Sequence, residues 1–294
     1  MVVALQGIVF GILLGGIYAL ASSGLTLIFG VMRIVNLAHG GLLMAAAFLT
    51  YSLWSATGLD PFLAIPVVGA VLFAVGVVLH HFVMRFADRG GEASVIMATL
   101  ALAMVLEGAT ALIWGSEPHS VTPSYANSSF RIGEIVLPTV QVYGFVVAGA
   151  LLLGLHQLLS RTWLGRAVRA AALNPSGAAL TGIRVERVNL ATYAIGVALT
   201  GAAGAIIAVL APFTPDSGDR WIGIGLAVVV LGGLGSLAGG MVGALVFGIA
   251  ETLTTTYISS AWATAVPYVV IILVLLVRPQ GIFGRRVRGD VVSA

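Results

Sequence analysis

The chain has 294 residues, of which 59% are hydrophobic and only 9% charged, with a net charge of +3. A soluble domain is about 25% charged, so a soluble fold is excluded, and the modest positive charge gives no reason to expect nucleic acid. Cysteine is absent and all fourteen basic residues are arginine, which excludes disulfides and thiolate metal sites, a Walker A lysine and a Schiff-base lysine.

Apolar runs near 20 residues, the length that crosses a bilayer, recur along the whole chain. The first, Gly7–Phe29, lacks a basic leader region and reads as a true span, not a cleaved signal. Gly7, Gly11 and Gly15 form a small-residue face on it, while Tyr18, Ser22 and Thr26 share a second, polar face. Leu37–Thr57 follows, with Asn36 and His39 at its start beside Arg33. These two either line an inner gate or cap the span. Pro61–Met84 and Ala93–Trp114 come next, the latter carrying Glu107 mid-way. The connector Gly115–Pro138, with Glu117, Pro118, Pro123 and Glu134, reads either as a surface for a soluble outer partner or as a solvated link. Thr139–Ser160 then leads into a long polar stretch.

That stretch, 161–189, holds Arg161, Arg166, Arg169, Arg184 and Arg187. Alanine-rich Leu164–Leu173 has strong helix propensity. Arg166 and Arg169, three apart, lie on one face. Asn174 suits an N-cap and Pro175 the first helical position, and Gly182 suits the stop before Ile183. Two short capped helices are expected, with Ala167, Ala171, Ala178, Ala179 and Leu180 on an apolar side. Such an element is either a docking surface for a soluble partner or an arginine anchor to lipid; the capped structure favours docking.

Beyond it lie Asn189–Ala211, Ile222–Leu237, Gly240–Ile258 and Thr264–Val277. Ala198, Gly201, Ala202 and Gly204 give the first of these a smooth face, and Glu251 lies within the third. The run with Gly232, Gly233, Gly235, Gly239 and Gly240 is too rich in glycine for a stable helix. It is either a re-entrant break or a turn between crossings. Broken segments in each half of a chain point to a transport path. Intramembrane carboxylates such as Glu107 and Glu251 usually face a bundle interior or watery cavity; each either meets a substrate ammonium group or is a packing residue. His80, His81, His119 and His156 show no metal-ligand spacing, and no catalytic motif is found.

Twelve arginines fall on one side of this map, including Arg278, Arg285, Arg286 and Arg288, and only Arg131 and Arg220 on the other. The arginine-rich side is cytoplasmic, which puts the start of the chain outside if nine crossings are real; with eight, one glycine-broken piece is re-entrant. Trp54, Trp114, Trp221 and Trp262 fall at outer ends and Trp163 at an inner end, as an aromatic belt requires. The expected fold class is all-α: one transmembrane domain over residues 1–294, a helix bundle of eight or nine spans with the platform at 161–189.

Gly16-Ile-Tyr-Ala-Leu and Gly24-Leu-Thr-Leu-Ile-Phe-Gly-Val-Met-Arg-Ile-Val-Asn-Leu-Ala-His-Gly40 resemble the opening signature of the permeases of branched-chain amino-acid ABC transporters. Leu164-Gly165-Arg-Ala-Val-Arg-Ala, Asn174-Pro175 and Ala179-Leu-Thr-Gly-Ile183 resemble their central cytoplasmic signature. Leu231-Gly-Gly-Leu-Gly-Ser and Arg278-Pro-Gln-Gly-Ile-Phe-Gly also fit, so the likeness runs through nearly the whole chain in order. The resemblance implies a non-enzymatic subunit, the one with the short N-terminus, in a bacterial inner membrane. It implies partnership with a second permease chain, two cytoplasmic ATPases that hold ATP and magnesium, and a periplasmic solute-binding protein, as well as contact with membrane lipid. Read from its own residues, the loop would couple to an ATPase through Gly165, Arg166, Arg169, Asn174, Pro175, Gly182 and Ile183. From the residues themselves, the path would be bordered by Tyr18, Asn36, His39, Glu107 and Glu251. The competing reading is an ion-coupled secondary amino-acid carrier or channel that needs no ATPase. An arginine-bearing two-helix loop is not required by such a carrier and speaks for the importer.

Overall fold

In chain order the helices are α1 (Val2–Met32), α2 (His39–Thr57), α3 (Pro61–Leu79), α4 (Arg85–Ala87), α5 (Glu92–Trp114), α6 (Thr139–Arg161), α7 (Trp163–Leu173), α8 (Pro175–Leu180), α9 (Val185–Leu210), α10 (Gly218–Gly232), α11 (Leu237–Tyr257), α12 (Ser260–Ala263) and α13 (Val266–Val277). This computed structural model describes residues 2–278 and 281–282. Arg285, Arg286 and Arg288 of the expected inner cluster lie outside the described residues. Every expected apolar segment is helical. Among the described residues, six helices are long and apolar enough to cross a membrane. With α2 and the shorter α10 and α13 the bundle fits eight or nine crossings.

Local chemistry sets the helix ends. Asp60 caps α3 by accepting the Phe62 N–H at 2.9 Å, with Pro61 in the first turn, and Gly58 closes α2 in the left-handed region at φ 71°. The centre of the bundle is α1 and α9, whose buried faces are rich in glycine, alanine and serine. In lipid, close backbone approach supplies the packing energy that water supplies elsewhere. The Gly7–Gly11–Gly15 face of α1 is used within the chain. A Cβ on Gly11 would lie 2.4 Å from the Ile249 Cα, and one on Gly248 would lie 2.5 Å from the Gly11 carbonyl oxygen. α1 and α11 therefore pack backbone to backbone. The smooth face of α9 is likewise internal: Gly201 meets Leu72 of α3 and Gly204 meets Leu43 of α2.

The glycine run is a turn between crossings. α10 stops at Gly232 as Gly233 and Gly235 adopt φ 98° and 79°, and Ser236 caps α11 by accepting the Gly239 N–H at 3.1 Å. The turn tucks under the inner end of α1, where a Cβ on Gly235 would lie 2.9 Å from the Gly30 Cα.

The all-α expectation holds, with one small addition. In the outer connector, β1 (Ser129–Ile132) and β2 (Ile135–Pro138) pair antiparallel as a hairpin. It is fastened to α1 by Gln6, whose Nε2 donates to the Val136 carbonyl at 2.6 Å and whose Oε1 accepts the Val136 N–H at 3.0 Å. The Tyr125 hydroxyl donates to Asp60 at 2.7 Å, and His119 bridges to Phe213 through the backbone. The connector is thus folded onto the outer end of the bundle. Tyr125 shows the effect of that docking: burial, then the Asp60 hydrogen bond, pushes its phenol above the usual tyrosine range.

Candidate functional site

A cavity of about 520 Å³ opens at the outer end between α1, α6, α9, α10 and α11. Its walls are mainly apolar, and its floor is charged. Glu251, on α11, is buried and accepts two hydrogen bonds, from the Tyr18 hydroxyl at 2.6 Å and from the Arg220 guanidinium at 3.1 Å. The Arg220 side chain is 58% exposed and that of Glu251 8%, so one end of the ion pair faces the cavity and the other is sealed. Tyr18 stands edge-on to Trp221 with ring centres 5.8 Å apart. On the inner side of Tyr18, a small cavity of about 60 Å³ is bordered by Ser22, Ser23, Thr26, His156 and Gly240. Ser22 and Thr26 donate to carbonyls one turn back on α1, those of Tyr18 and Ser22. Tyr18 of α1 therefore lines the outer cavity, and Ser22 and Thr26, one and two turns further along the same helix, line the inner one.

Of the five residues expected on the path, Tyr18 and Glu251 are brought together. The other three are not. Glu107 is exposed on the outward face of α5, because the inward side of that helix is occupied by Val95, Thr99 and Thr110. Asn36 is fully buried and spent on structure: its side chain accepts the Ala38 N–H and donates to the Tyr193 hydroxyl at 3.3 Å. His39 is equally enclosed. One ring nitrogen lies 2.8 Å from the Ala21 carbonyl and the other 3.2 Å from the Thr200 hydroxyl, tying α1, α2 and α9 together. The residue that sequence reasoning missed is Arg220. Its signal was an arginine beside a tryptophan on the side of the membrane that otherwise holds only Arg131.

At the inner end, the two capped helices form as their residues require. Thr162 caps α7 by accepting the Gly165 N–H at 3.2 Å, and Asn174 caps α8 by accepting the Gly177 N–H at 2.9 Å. Pro175 opens α8. Gly182, at φ 84°, closes it. The Gly182 N–H reaches the Ala179 carbonyl and the Ile183 N–H the Ala178 carbonyl, at 3.0 and 3.1 Å, the double bond pattern of a Schellman stop. Gly165 is buried, since a Cβ there would collide with the Leu159 backbone. Arg169 turns back and donates to the Leu159 carbonyl at the end of α6, a favourable place for a cation. Gly165 and Arg169 thus fasten α7 to α6, leaving Arg166 exposed. Ala167, Ala171 and Ala178 are buried, whereas Leu173 and Leu180 are 76% and 90% exposed. Ala179, expected on the apolar side, is exposed with Leu180, so the outward surface of the platform carries Arg166, Leu173, Ala179 and Leu180, with Ala167, Ala171 and Ala178 beneath.

The sequence profile of the family described as branched-chain amino acid transport system / permease component matches residues 7–275. The chain belongs to this permease family. It is 30% identical over 295 residues to the high-affinity branched-chain amino acid transport system permease protein LivH of Escherichia coli K12, covering 96% of each chain. The corresponding protein BraD of Pseudomonas aeruginosa is 30% identical, again over 96% of each. The similarity extends at 30% identity to the ribose import permease protein RbsC of Escherichia coli K12, over 64% of this chain and 61% of that one. No solved structure gives a significant match. Membership in this permease family and the six apolar helices make the chain a multi-pass protein of the cytoplasmic membrane.

Proposed function

We propose that this permease, acting as one domain along its whole length, forms the translocation path of an ATP-driven importer for branched-chain aliphatic amino acids. The observation that carries the reading is the polar face of α1, whose Tyr18 lines an open outer cavity while its Ser22 and Thr26 line a small inner one; on this reading Tyr18 and Glu251, joined at 2.6 Å, close the way between them. An outward cavity with apolar walls and a charged floor suits a solute handed over by a binding protein outside. The chain has no lysine and so no Walker A motor of its own; on this reading the energy comes from two cytoplasmic ATPases carrying ATP and magnesium, working with a second permease chain. Arg166, Leu173 and Leu180 form the surface on which an ATPase docks. Largely exposed leucines on a capped element are the kind of apolar anchor that interfaces use.

The test is uptake of labelled leucine into proteoliposomes holding the complete transporter. ATP and the binding protein should both be required. Leu180→Asp combined with Arg166→Ala should reduce uptake at least about tenfold, the effect of losing one well-packed interface anchor, while leaving the chain folded. Gradient-driven uptake by the purified chain alone would instead establish a secondary carrier.

A further inference from the structure

We infer that Arg220 and Glu251 form a receptor for the zwitterionic head of an α-amino acid, with the ligand opening the ion pair and taking one partner with each of its own charges. The inference rests on the importer reading for its physiological role, but the site stands on its own geometry.

Three observations point to it. The pair is joined by one contact of 3.1 Å, although a guanidinium has five N–H donors; the rest of the Arg220 fork meets no acceptor among the described residues and faces the cavity. Glu251 keeps its second oxygen on the Tyr18 hydroxyl, so the oxygen now on Arg220 can pass to a ligand ammonium without releasing the carboxylate from its place. Two further cavity-lining side chains, Gln141 and Thr252, carry buried oxygen atoms with no hydrogen-bond partner among the described residues. Buried polar atoms are seldom left so, and a rotation of either side chain would turn its oxygen toward an ammonium group bound in the cavity. Leu14, Ile207, Leu210, Phe213 and Trp221 give the cavity an apolar wall for an aliphatic side chain.

Charge bookkeeping supplies the selectivity. A zwitterion exchanges each member of the pair for an equivalent partner, so no charge is left alone. A ligand with only an ammonium group takes Glu251 and leaves Arg220 without a carboxylate, and one with only a carboxylate takes the free side of the Arg220 fork and gains nothing from Glu251. Each forfeits one of the two charge-assisted contacts, and sites built on such pairing reject the incomplete analogue far more strongly than they reject a missing methylene.

The experiment uses the full chain in nanodiscs and reads the Trp221 fluorescence as the difference between the wild type and Trp221→Phe. Leucine, 3-methylbutylamine (ammonium only) and 4-methylpentanoate (carboxylate only) are each titrated at neutral pH. Leucine should give a saturable response and the two analogues none. Arg220→Gln and Glu251→Gln should each raise the half-saturating leucine concentration about tenfold to hundredfold, the worth of one charge-assisted hydrogen bond. The double variant Arg220→Gln/Glu251→Gln, which leaves no stranded charge and so folds as well as the wild type, should stay as weak. The inference is overturned if leucine gives no Trp221-dependent response, if either analogue matches leucine, or if the double variant regains wild-type affinity, which would make the pair a strut. A positive titration with no ATP-driven uptake would overturn the importer reading and leave the receptor in place.

Discussion

Helices α5 and α11 each carry one carboxylate within an apolar span, and the bundle treats them in opposite ways. α11 lies backbone to backbone on α1, and its Glu251 is buried on Tyr18 and Arg220. α5 leans on α2 along a narrow seam, held by Trp114, whose indole donates to the Ser52 hydroxyl at 2.7 Å and stacks on Phe48, and its Glu107 faces outward. The difference teaches that a charge in a membrane helix marks a site only when a neighbouring helix comes close enough to enclose it. Closeness here is set by glycine.

The comparison breaks most visibly at the glycines. Gly248→Leu would drive a side chain into the backbone of α1 and should destabilise the chain by at least about 3 kcal/mol, the upper range for overpacking. Gly108→Leu on α5, where a Cβ meets nothing within 4 Å, should stay within about 0.5 kcal/mol of the wild type. Thermal unfolding in one detergent measures both, and equal losses would erase the distinction. The carboxylates come next. Glu251→Leu leaves the more than half-exposed Arg220 to the cavity and the buried Tyr18 hydroxyl without its acceptor, a cost of about 1–3 kcal/mol, whereas Glu107→Leu should leave the isolated chain as stable or more so. Trp114→Phe, which removes one hydrogen bond from the α5 seam, should cost about 1 kcal/mol and raise amide exchange in α5 while leaving α11 unchanged.

The smallest effect belongs to the outer connector. Tyr125→Phe should cost about 0.5–1.5 kcal/mol and loosen the hairpin alone. Because the folded phenol sits above the usual tyrosine range, its contribution is complete below about pH 10, the unfolded value, and is lost as the pH rises through the folded one. Proteolysis of the connector at rising pH should therefore accelerate in the wild type more than in Tyr125→Phe.

Caps were legible in the sequence because their chemistry is local: Asn174, Pro175 and Gly182 each act within three residues of their own position, and the structure uses all three as expected. The nine apolar segments were legible because length and composition alone define them. The inward face of each segment was not. α5 and α11 are apolar on every side, since lipid and protein interior ask for the same residues, so no periodicity separates Glu107 from Glu251. Arg220 was hidden for a related reason. Its partner lies 31 residues away on another helix, and nothing local announces the pairing. Asn36 and His39 misled because polar groups near a membrane edge suit a gate and a helix tie equally well until the third helix, α9, is in place. The hairpin was missed because its strands are four residues each, and the apolar alternation across Ile132 and Ile135 is too brief to stand out in a polar connector.

Arg169 and Gly165 weld α7 to the last turn of α6, and α6 then runs without a proline from Leu159 to Gln141 at the outer cavity. Those 18 positions span roughly 27 Å of stiff rod at 1.5 Å per residue. On the proposed coupling role of that platform, a push from the cytosol would reach the outer cavity as a tilt of one shaft.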